Sequence, residues 1–249
     1  PDYARQNRAI GVNYEPGSTF KAFTVAAALE EGEVTPEAPF NLAPTIQVAD
    51  REIGESHTVG YRTLNTREIL EQSSNVGAVT IGMRLRGGPP DCGVRRFGFG
   101  TPTGIDLPGE EAGILLDLDK YSGSSMGNLP IGQGMAVALM QMAAGYAAIA
   151  NGGVLRAPHV VDRVGARPAR KPEGRRVISE TTAAAVRRML EGVLGPGGTA
   201  SGAGIDAYVM AGKTGTAEKP DEFGGYSKTK FVSSFVGFAP AKRPKLLVA

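Results

Sequence analysis

Several residue types that build metal sites and disulfides are scarce in this chain. The 249 residues include no tryptophan, one cysteine and two histidines. A single thiol, Cys92, excludes an intramolecular disulfide and a cysteine-based metal site. His57 and His159 have no partner at the spacing of a zinc ligand pair, so we interpret them as structural or solvent-facing residues. We therefore predict that the protein uses no metal and no cofactor.

A surplus of one charge and a long apolar run are also absent. Basic residues number 27 and acidic residues 25, which gives a formal net charge of +2 and argues against a nucleic-acid partner. No stretch approaches the ~20 apolar residues that span a bilayer, and the polar start of the chain has no signal-peptide pattern. Because the sequence stops in Lys245–Ala249, which is typical of the beginning of a strand, we expect a fragment that is cut at both ends.

The pattern of apolar residues predicts an α+β domain, with helices in the middle of the chain and strands near its end. Residues 15–17 mark the start of a helix over 18–31, which is apolar on nearly every side, as expected for a buried helix. We predict further helices over residues 63–71, 74–86, 134–151 and 181–194, strands over 154–165, 208–212 and 231–238, an extended segment over 1–16, and an ordered loop over 97–113. Arg187 and Arg188 are expected to face outward from the last helix.

Ser18 and Lys21 are the first candidates for catalysis. A serine hydroxyl needs a base within hydrogen-bond reach, and a lysine can serve when burial or another cation lowers its pKa. The spacing places both side chains on one helix face, and the helix start favours developing negative charge on the serine. The chain contains a second copy of this spacing, Ser227 to Lys230, which lacks helix signals and which we interpret as a surface loop.

Two further motifs add polar residues to this candidate site. Ser73-Ser74-Asn75 lies between two predicted helices, where it can present side chains to a cleft, cap a helix, or do both. Lys213-Thr214-Gly215-Thr216 follows an apolar strand start and could be a plain turn. Alternatively, Gly215 would let a ligand approach the backbone closely, and a strand edge there could bind an extended peptide.

The order Ser-x-x-Lys, Ser-x-Asn and Lys-Thr-Gly is the signature of penicillin-binding proteins and class A β-lactamases. Beyond these motifs, nearly the whole chain resembles class B penicillin-binding proteins, especially the division-type transpeptidases. This wider resemblance is carried by residues 7–21, Phe97–Gly100, Thr103–Glu110, Leu129–Gly134 and Ala211–Ala217.

The resemblance implies a β-lactamase/transpeptidase-like fold, in which helices flank an antiparallel sheet and form most of a second subdomain. Residues 1–249 would then be a partial penicillin-binding transpeptidase domain. The family's catalytic domain usually begins with two strands before the Ser18 segment and ends with a strand and a helix after the position of Ala249. We therefore expect an incomplete sheet, with a pedestal domain and a membrane anchor outside this fragment.

The resemblance also implies a role for each motif residue. Ser18 would attack the carbonyl of the penultimate D-alanine of a peptidoglycan stem peptide, with Lys21 as the general base. Ser73 and Asn75 would relay protons and hold the substrate amide and Lys21. Lys213 would keep Lys21 partly neutral by like-charge repulsion and would help to return a proton.

The same resemblance implies how the substrate is bound. Thr214 and Thr216 would bind its terminal carboxylate, and pairing along Gly215–Glu218 would align the peptide with the strand. The backbone N–H groups of Ser18 and Thr216 would form the oxyanion hole, in which each donor contributes ~10²–10³ in rate.

The implied function is a peptidoglycan D,D-transpeptidase that is acylated by β-lactam antibiotics. Its implied partners are stem peptides ending in D-Ala-D-Ala, a membrane SEDS-type glycan polymerase and other divisome proteins. Its implied location is the extracytoplasmic face of the bacterial cytoplasmic membrane.

Three other functions are compatible with this signature. A class A β-lactamase would carry a Glu-x-x-x-Asn element after Ser-x-Asn, whereas Glu37–Asn41, which has that spacing, precedes Ser73. A D,D-carboxypeptidase has the same three motifs and differs in what accepts the acyl group. A β-lactam sensor would be acylated and would signal through a linked membrane domain. The family resemblance favours transpeptidation, and the motif spacing leaves the carboxypeptidase open.

Overall fold

A three-stranded antiparallel sheet and a group of helices around one buried helix make up the protein. The computed structural model describes residues 6–85, 93–169, 171–220 and 226–249, so Cys92 lies outside the described residues. None of the helices in these ranges is long and apolar enough to cross a membrane. The α-helices are α1 (Arg8–Gly11), α2 (Lys21–Glu30), α3 (Thr66–Glu71), α4 (Asn75–Gly82), α5 (Ser125–Asn128), α6 (Leu139–Ala150) and α7 (Glu180–Gly192). Short 3-10 helices cover Gly17–Phe20, Leu118–Lys120 and Leu129–Ile131.

All the strand pairs are antiparallel. The strands are β1 (Asn13–Tyr14), β2 (Pro39–Leu42), β3 (Thr45–Val48), β4 (Arg51–Gly54), β5 (Arg62–Asn65), β6 (Val137–Ala138), β7 (Val154–Arg156), β8 (Arg163–Val164), β9 (Arg167–Pro168), β10 (Gly174–Arg176), β11 (Ala211–Pro220), β12 (Tyr226–Ala239) and β13 (Leu246–Val248). The sheet has the order β11-β12-β13, and β1–β6, β2–β5, β3–β4, β7–β10 and β8–β9 form two-stranded ribbons. This arrangement is the α+β architecture that the sequence predicts.

Helix α2 is buried on every side, as its apolar sequence predicts. The Phe23 ring centroid lies 4.8 Å from that of Phe97, 5.0 Å from that of Phe99 and 5.2 Å from that of Tyr146. Such tilted and edge-on ring pairs add to the stabilisation from buried apolar area. The cluster therefore ties α2 to α6 and to the ordered loop that begins at residue 97.

Two helices begin later than the apolar pattern predicts, because their first residues pair in strands. The helix expected from residue 63 is preceded by β5, which pairs with β2, and the helix expected from residue 134 is preceded by β6, which pairs with β1. Asn65 caps α3: its side chain accepts from the Glu68 N–H, and the Glu68 carboxylate accepts from the Asn65 N–H. Long-range strand pairing therefore overrides the local helix pattern at both places.

Other local predictions need correction. Residues 1–16 are not wholly extended, because Asn7 caps the short helix α1. The strand expected over 208–212 begins only at Ala211. The strand expected over 154–165 is two short strands, β7 and β8, and the helix expected over 74–86 ends at Gly82, with residue 86 outside the described part of the chain.

The structure also decides one open alternative and corrects two predictions. The Lys-Thr-Gly motif is a strand and not a turn, because it lies inside β11 and pairs residue for residue with β12 as far as Glu218. The second Ser-x-x-Lys copy, residues 227–230, lies in β12 rather than in a surface loop. Arg187 does not face outward: it donates to the carbonyls of Ile149 and Ala150 at the C-terminal end of α6, where a cation is favourable.

Candidate active site

The three sequence motifs meet at a cleft of about 440 Å³. Ser18 comes from the 3-10 helix before α2, Ser73 and Asn75 come from the start of α4, and the Thr214–Thr216 segment comes from β11. Lys21 and Lys213 have almost no exposed surface and lie behind this lining. Sequence positions separated by nearly 200 residues therefore supply one site. Lining residues that the motifs did not indicate are Gly17, Ser56, His57, Gln72, Ile131, Gln133 and Thr199.

Ser18 lies in a tight 3-10 turn rather than in the first turn of an α-helix. Gly17 has φ +54° and its N–H donates to the Gly132 carbonyl at 3.0 Å. The Thr19 hydroxyl donates to the Pro16 carbonyl at 2.7 Å, which closes the turn on its other side. A positive φ is strained for a residue with a Cβ, so the glycine before Ser18 lets the chain turn and holds the serine half-buried at the cleft.

Lys21 is fully hydrogen-bonded to the Ser-x-Asn motif. Its Nζ donates to the Ser73 carbonyl and to Asn75 Oδ1, both at 2.6 Å, and lies 3.3 Å from Ser73 Oγ. Burial and then the nearby Lys213 ammonium hold the pKa of Lys21 well below its usual value, while Glu55 opposes them. A neutral amine has two N–H groups and one lone pair, so the two short bonds leave the lone pair available for a hydroxyl proton.

The Ser-x-Asn motif owes its shape to a left-handed residue and a helix cap. Ser73 has φ +60°, an uncommon conformation for a serine, and this aims its carbonyl at the Lys21 amine. The Ser74 hydroxyl accepts from the Gly77 N–H at 2.9 Å and caps α4. Both sequence interpretations of this motif therefore hold: it caps a helix and it faces the cleft.

Alternate side chains of the Lys-Thr-Gly-Thr segment lie on opposite faces of strand β11. Lys213 and Gly215 are buried, whereas Thr214 and Thr216 are open to the cleft, as the period of two in a strand requires. The Lys213 Nζ donates to the Thr214 carbonyl at 3.0 Å, and burial lowers the pKa of Lys213 to about 7. The Thr214 hydroxyl lies 2.7 Å from that of Thr199, on the loop after α7. The Lys213 amine and the hydroxyls of Thr199 and Thr214 thus converge on this side of the cleft, where an anion is favourable.

Sequence reasoning missed a buried carboxylate beside the Ser-x-Asn motif. The side chain of Glu55, just after β4, is only 3% exposed and accepts from the Ser74 hydroxyl and the Asn75 N–H. Arg62 forms an ion pair with it at 3.0 Å. No local spacing indicates this contact, because Glu55 follows β4 some twenty positions before the motif and Arg62 begins β5, which belongs to a different ribbon.

Comparison with known proteins finds similarity over the whole length of the chain. A family model described as the penicillin-binding protein transpeptidase domain matches residues 1–249. Penicillin-binding protein PbpB of Mycolicibacterium smegmatis is 36% identical over 97% of this chain and 39% of its own length. The probable peptidoglycan D,D-transpeptidase PenA of Neisseria gonorrhoeae is 33% identical over 98% of this chain and 41% of its own length. The chain thus spans about two fifths of these curated relatives.

The fold is similar to that of a solved relative as well. Penicillin-binding protein 3 from Mycobacterium tuberculosis, in its apo form, superposes with a TM-score of 0.91 at 34% identity over 99% of this chain and 59% of that one. Its ampicillin complex gives a TM-score of 0.89 at 35% identity, with the same coverage.

Proposed function

Because the chain belongs to the class B penicillin-binding proteins and matches their transpeptidase domain, we propose that its protein cross-links peptidoglycan as a serine D,D-transpeptidase. The observation that carries the proposal is the buried Lys21 amine, held by Ser73 and Asn75 one turn after Ser18. We further propose that residues 1–249 form a single, partial transpeptidase domain of a longer protein with a pedestal domain and a membrane anchor.

The first half-reaction transfers an acyl group to Ser18. Its Oγ bonds to the carbonyl carbon of the penultimate D-alanine as its proton passes to neutral Lys21. The bond from that carbon to the terminal D-alanine nitrogen then breaks, and the leaving amine takes a proton by way of the Ser73 hydroxyl. The backbone N–H groups of Ser18 and Thr216 hold the oxyanion. The nitrogen of an acceptor amine from a second stem peptide then bonds to the acyl carbon, the bond from that carbon to Ser18 Oγ breaks, and the proton lost by the amine returns to Oγ.

The β11 side of the cleft binds the donor peptide. Thr214 and Thr216 hold the terminal carboxylate, with the Lys213 charge behind them. Among the described residues β11 pairs with β12 alone, so its other edge is available for an extended peptide along Gly215–Glu218. The nearness of Lys213 disfavours protonation of Lys21, which keeps the base ready.

The composition of the cleft favours transfer over hydrolysis. Its described lining contains no aspartate or glutamate that could activate a water molecule. Glu55, a buried carboxylate beside the Ser-x-Asn motif, is occupied by Ser74, Asn75 and Arg62. A β-lactam would therefore acylate Ser18 and be released slowly, and the ampicillin complex of the related penicillin-binding protein 3 supports binding of this drug class.

The proposed partners follow from this reaction. They are stem peptides ending in D-Ala-D-Ala, β-lactam antibiotics, a SEDS-type glycan polymerase and other divisome proteins. The proposed location is the extracytoplasmic face of the cytoplasmic membrane, where peptidoglycan is assembled.

Covalent labelling tests the nucleophile. We expect a fluorescent penicillin to attach to the full-length protein and to increase its intact mass by one drug molecule. Ser18→Ala should abolish attachment, because it removes the hydroxyl that lies one turn before the buried Lys21 amine. Ser227→Ala, at the second Ser-x-x-Lys copy, should label normally.

Labelling that survives Ser18→Ala would contradict the assignment. Turnover of a labelled stem peptide in the presence of an acceptor amine then separates the two enzymatic possibilities. Cross-linked product supports the transpeptidase, and free shortened peptide alone identifies a D,D-carboxypeptidase.

A further inference from the structure

Glu55 connects a β-hairpin to the Ser-x-Asn motif through two short hydrogen bonds. Its Oε1 accepts from the Ser74 hydroxyl at 2.5 Å and its Oε2 accepts from the Asn75 N–H at 2.7 Å. Hydrogen bonds to a carboxylate are shorter and stronger than those between neutral groups. One side chain therefore holds the two residues that begin α4.

The hairpin also sets the orientation of the Asn75 amide. The Asn75 Nδ2 donates to the Gly54 carbonyl at 2.8 Å, which leaves Oδ1 on the side of Lys21. Gly54 immediately precedes Glu55, so both contacts come from the end of β4. The end of strand β4 thus fixes the orientation of Asn75 Oδ1, the atom that accepts from Lys21, although helix α4 carries Asn75.

Arg62 holds Glu55 in place from strand β5, which belongs to the ribbon with β2. One Nη lies 3.0 Å from Glu55 Oε1 and the other donates to Gln72 Oε1 at 3.2 Å. Gln72 directly precedes Ser73, and Glu55 binds the two residues that follow Ser73. The guanidinium therefore contacts one side of the turn directly and the other side through Glu55. A planar, forked cation suits this bridging position.

We propose that Glu55, held by Arg62, is a positioning residue for acyl transfer: it fixes Ser74 and Asn75 so that the Lys21 amine stays aligned, and its charge partly offsets that of Lys213. The inference rests on the proposed function. Glu55 does not line the cleft among the described residues, and it acts through the Ser-x-Asn motif.

The charges around Lys21 predict how Glu55 affects its protonation. Lys213 on β11 lowers the pKa of Lys21 and Glu55 raises it. Arg62 on β5 pairs with Glu55, and His57, two positions along the same loop, lies at the rim of the cleft. Removing the Glu55 charge should lower the pKa of Lys21 further, so that Lys21 stays neutral at lower pH.

The pH dependence of acylation separates positioning from a purely structural role. In Glu55→Gln we expect the maximal rate constant for acylation by a fluorescent penicillin to fall roughly 10- to 100-fold, because small misalignments of reacting groups are costly. The acidic side of the pH profile, where Lys21 becomes protonated, should move to lower pH. The rates are measured on the full-length protein and corrected for the folded fraction by circular dichroism.

Two further variants complete the experiment. Glu37→Gln is the matched control, since Glu37 forms an exposed ion pair with Arg67, and it should change neither the rate nor the profile. If Glu55→Gln fails to fold, the double variant Glu55→Gln/Arg62→Gln removes both charges together. A smaller shift in the same direction is then expected, because loss of the more distant Arg62 cation offsets part of the effect of losing the Glu55 anion.

An unmoved acidic side in the folded variant would overturn the proposal, whether or not the maximal rate falls. A rate loss that only tracks the unfolded fraction would overturn it as well. Failure of the proposed function looks different, because the unmodified protein would then show no Ser18-dependent acylation at all.

Discussion

At the scale of single residues, two buried lysines dominate the site. Lys21 is 1% exposed and Lys213 is 0% exposed, whereas lysines in proteins are almost never fully buried without a partner. Each makes hydrogen bonds that a neutral amine can supply, to the Ser73 carbonyl and to the Thr214 carbonyl. Burial of an amine disfavours its charged form. Folding therefore works against protonation at the position where a base is needed.

Replacing Lys213 should make the protein more stable and inactive. A lysine with a pKa of about 7 when folded and 10.5 when unfolded binds fewer protons in the folded state between these values. Its contribution to the free energy of unfolding therefore rises as the pH increases from about 7 to about 10. Lys213→Met removes this proton-linked cost. At pH 7 we therefore expect the variant to unfold at a higher urea concentration than the unmodified protein, with a free energy of unfolding that is larger by on the order of a few kcal/mol.

Urea unfolding at pH 7 and at about pH 9.5 measures the gap in free energy of unfolding between Lys213→Met and the unmodified protein. This gap should shrink at the higher pH, because the lysine of the unfolded chain loses its proton there. Penicillin labelling of Lys213→Met should be lost. The exposed Lys242, changed to Met, is the control and should show no such pH-dependent gap. A gap that does not change with pH would contradict a lowered pKa of Lys213 in the folded protein.

At the scale of elements, the site depends on close contact between β11 and the turn that carries Ser18. A Cβ on Gly215 would lie 2.6 Å from Ser234 Oγ, 2.9 Å from Thr19 Cγ2 and 3.0 Å from the Pro16 carbonyl. Contacts below 3.0 Å force a neighbour to move. The absence of a side chain at Gly215 therefore sets the distance between the strand edge and the nucleophile.

Gly215→Ala should weaken acylation more than it weakens the fold. Overpacking of this kind costs about 1–3 kcal/mol of unfolding free energy. Because the strand must shift from Ser18, we expect the acylation rate constant to fall by roughly 10-fold or more. Gly204→Ala is the matched control, since nothing lies within 4 Å of its Cβ position. Equal acylation rates in the two variants would show that this contact does not set the geometry.

At the scale of the whole molecule, α2 joins the cleft to the core. The helix begins at Lys21, and its next turn inserts Phe23 among the rings of Phe97, Phe99 and Tyr146. The Tyr146 hydroxyl reaches back to donate to the Thr19 carbonyl at 2.7 Å. The position of the turn that carries Ser18 is thus set by the packing of α2 against α6.

Truncating Phe23 should therefore destabilise the protein strongly. Loss of a fully buried ring leaves a cavity, and Phe23→Ala should lower the free energy of unfolding by about 3–5 kcal/mol. Phe231→Ala removes a ring that is 46% exposed on β12, and a change below about 1 kcal/mol is expected there. Urea unfolding of both variants measures the difference. Similar losses in the two would show that the aromatic cluster does not organise the core.

Much of the candidate site could be predicted from the sequence, since short motifs hold their residues at set spacings. Ser18, Lys21, Asn75 and Lys213 all reach one site, as predicted from three separate motifs. The contributions of Glu55, Arg62 and Thr199 could not be predicted, because each comes from a hairpin or a loop with no motif of its own. Two helix starts were also placed too early, where strand pairing takes the first residues.

The sequence by itself determined the family and the α+β class, and it indicated Ser18 and Lys21 as candidates, because local spacing and apolar periodicity are properties of neighbouring residues. Only the tertiary structure decided that the Lys-Thr-Gly motif is a strand edge, that Lys213 is buried, and that Glu55 holds the Ser-x-Asn motif. These features depend on which distant segments touch. Burial and charge pairing, which set the protonation of Lys21, exist only once those segments have met.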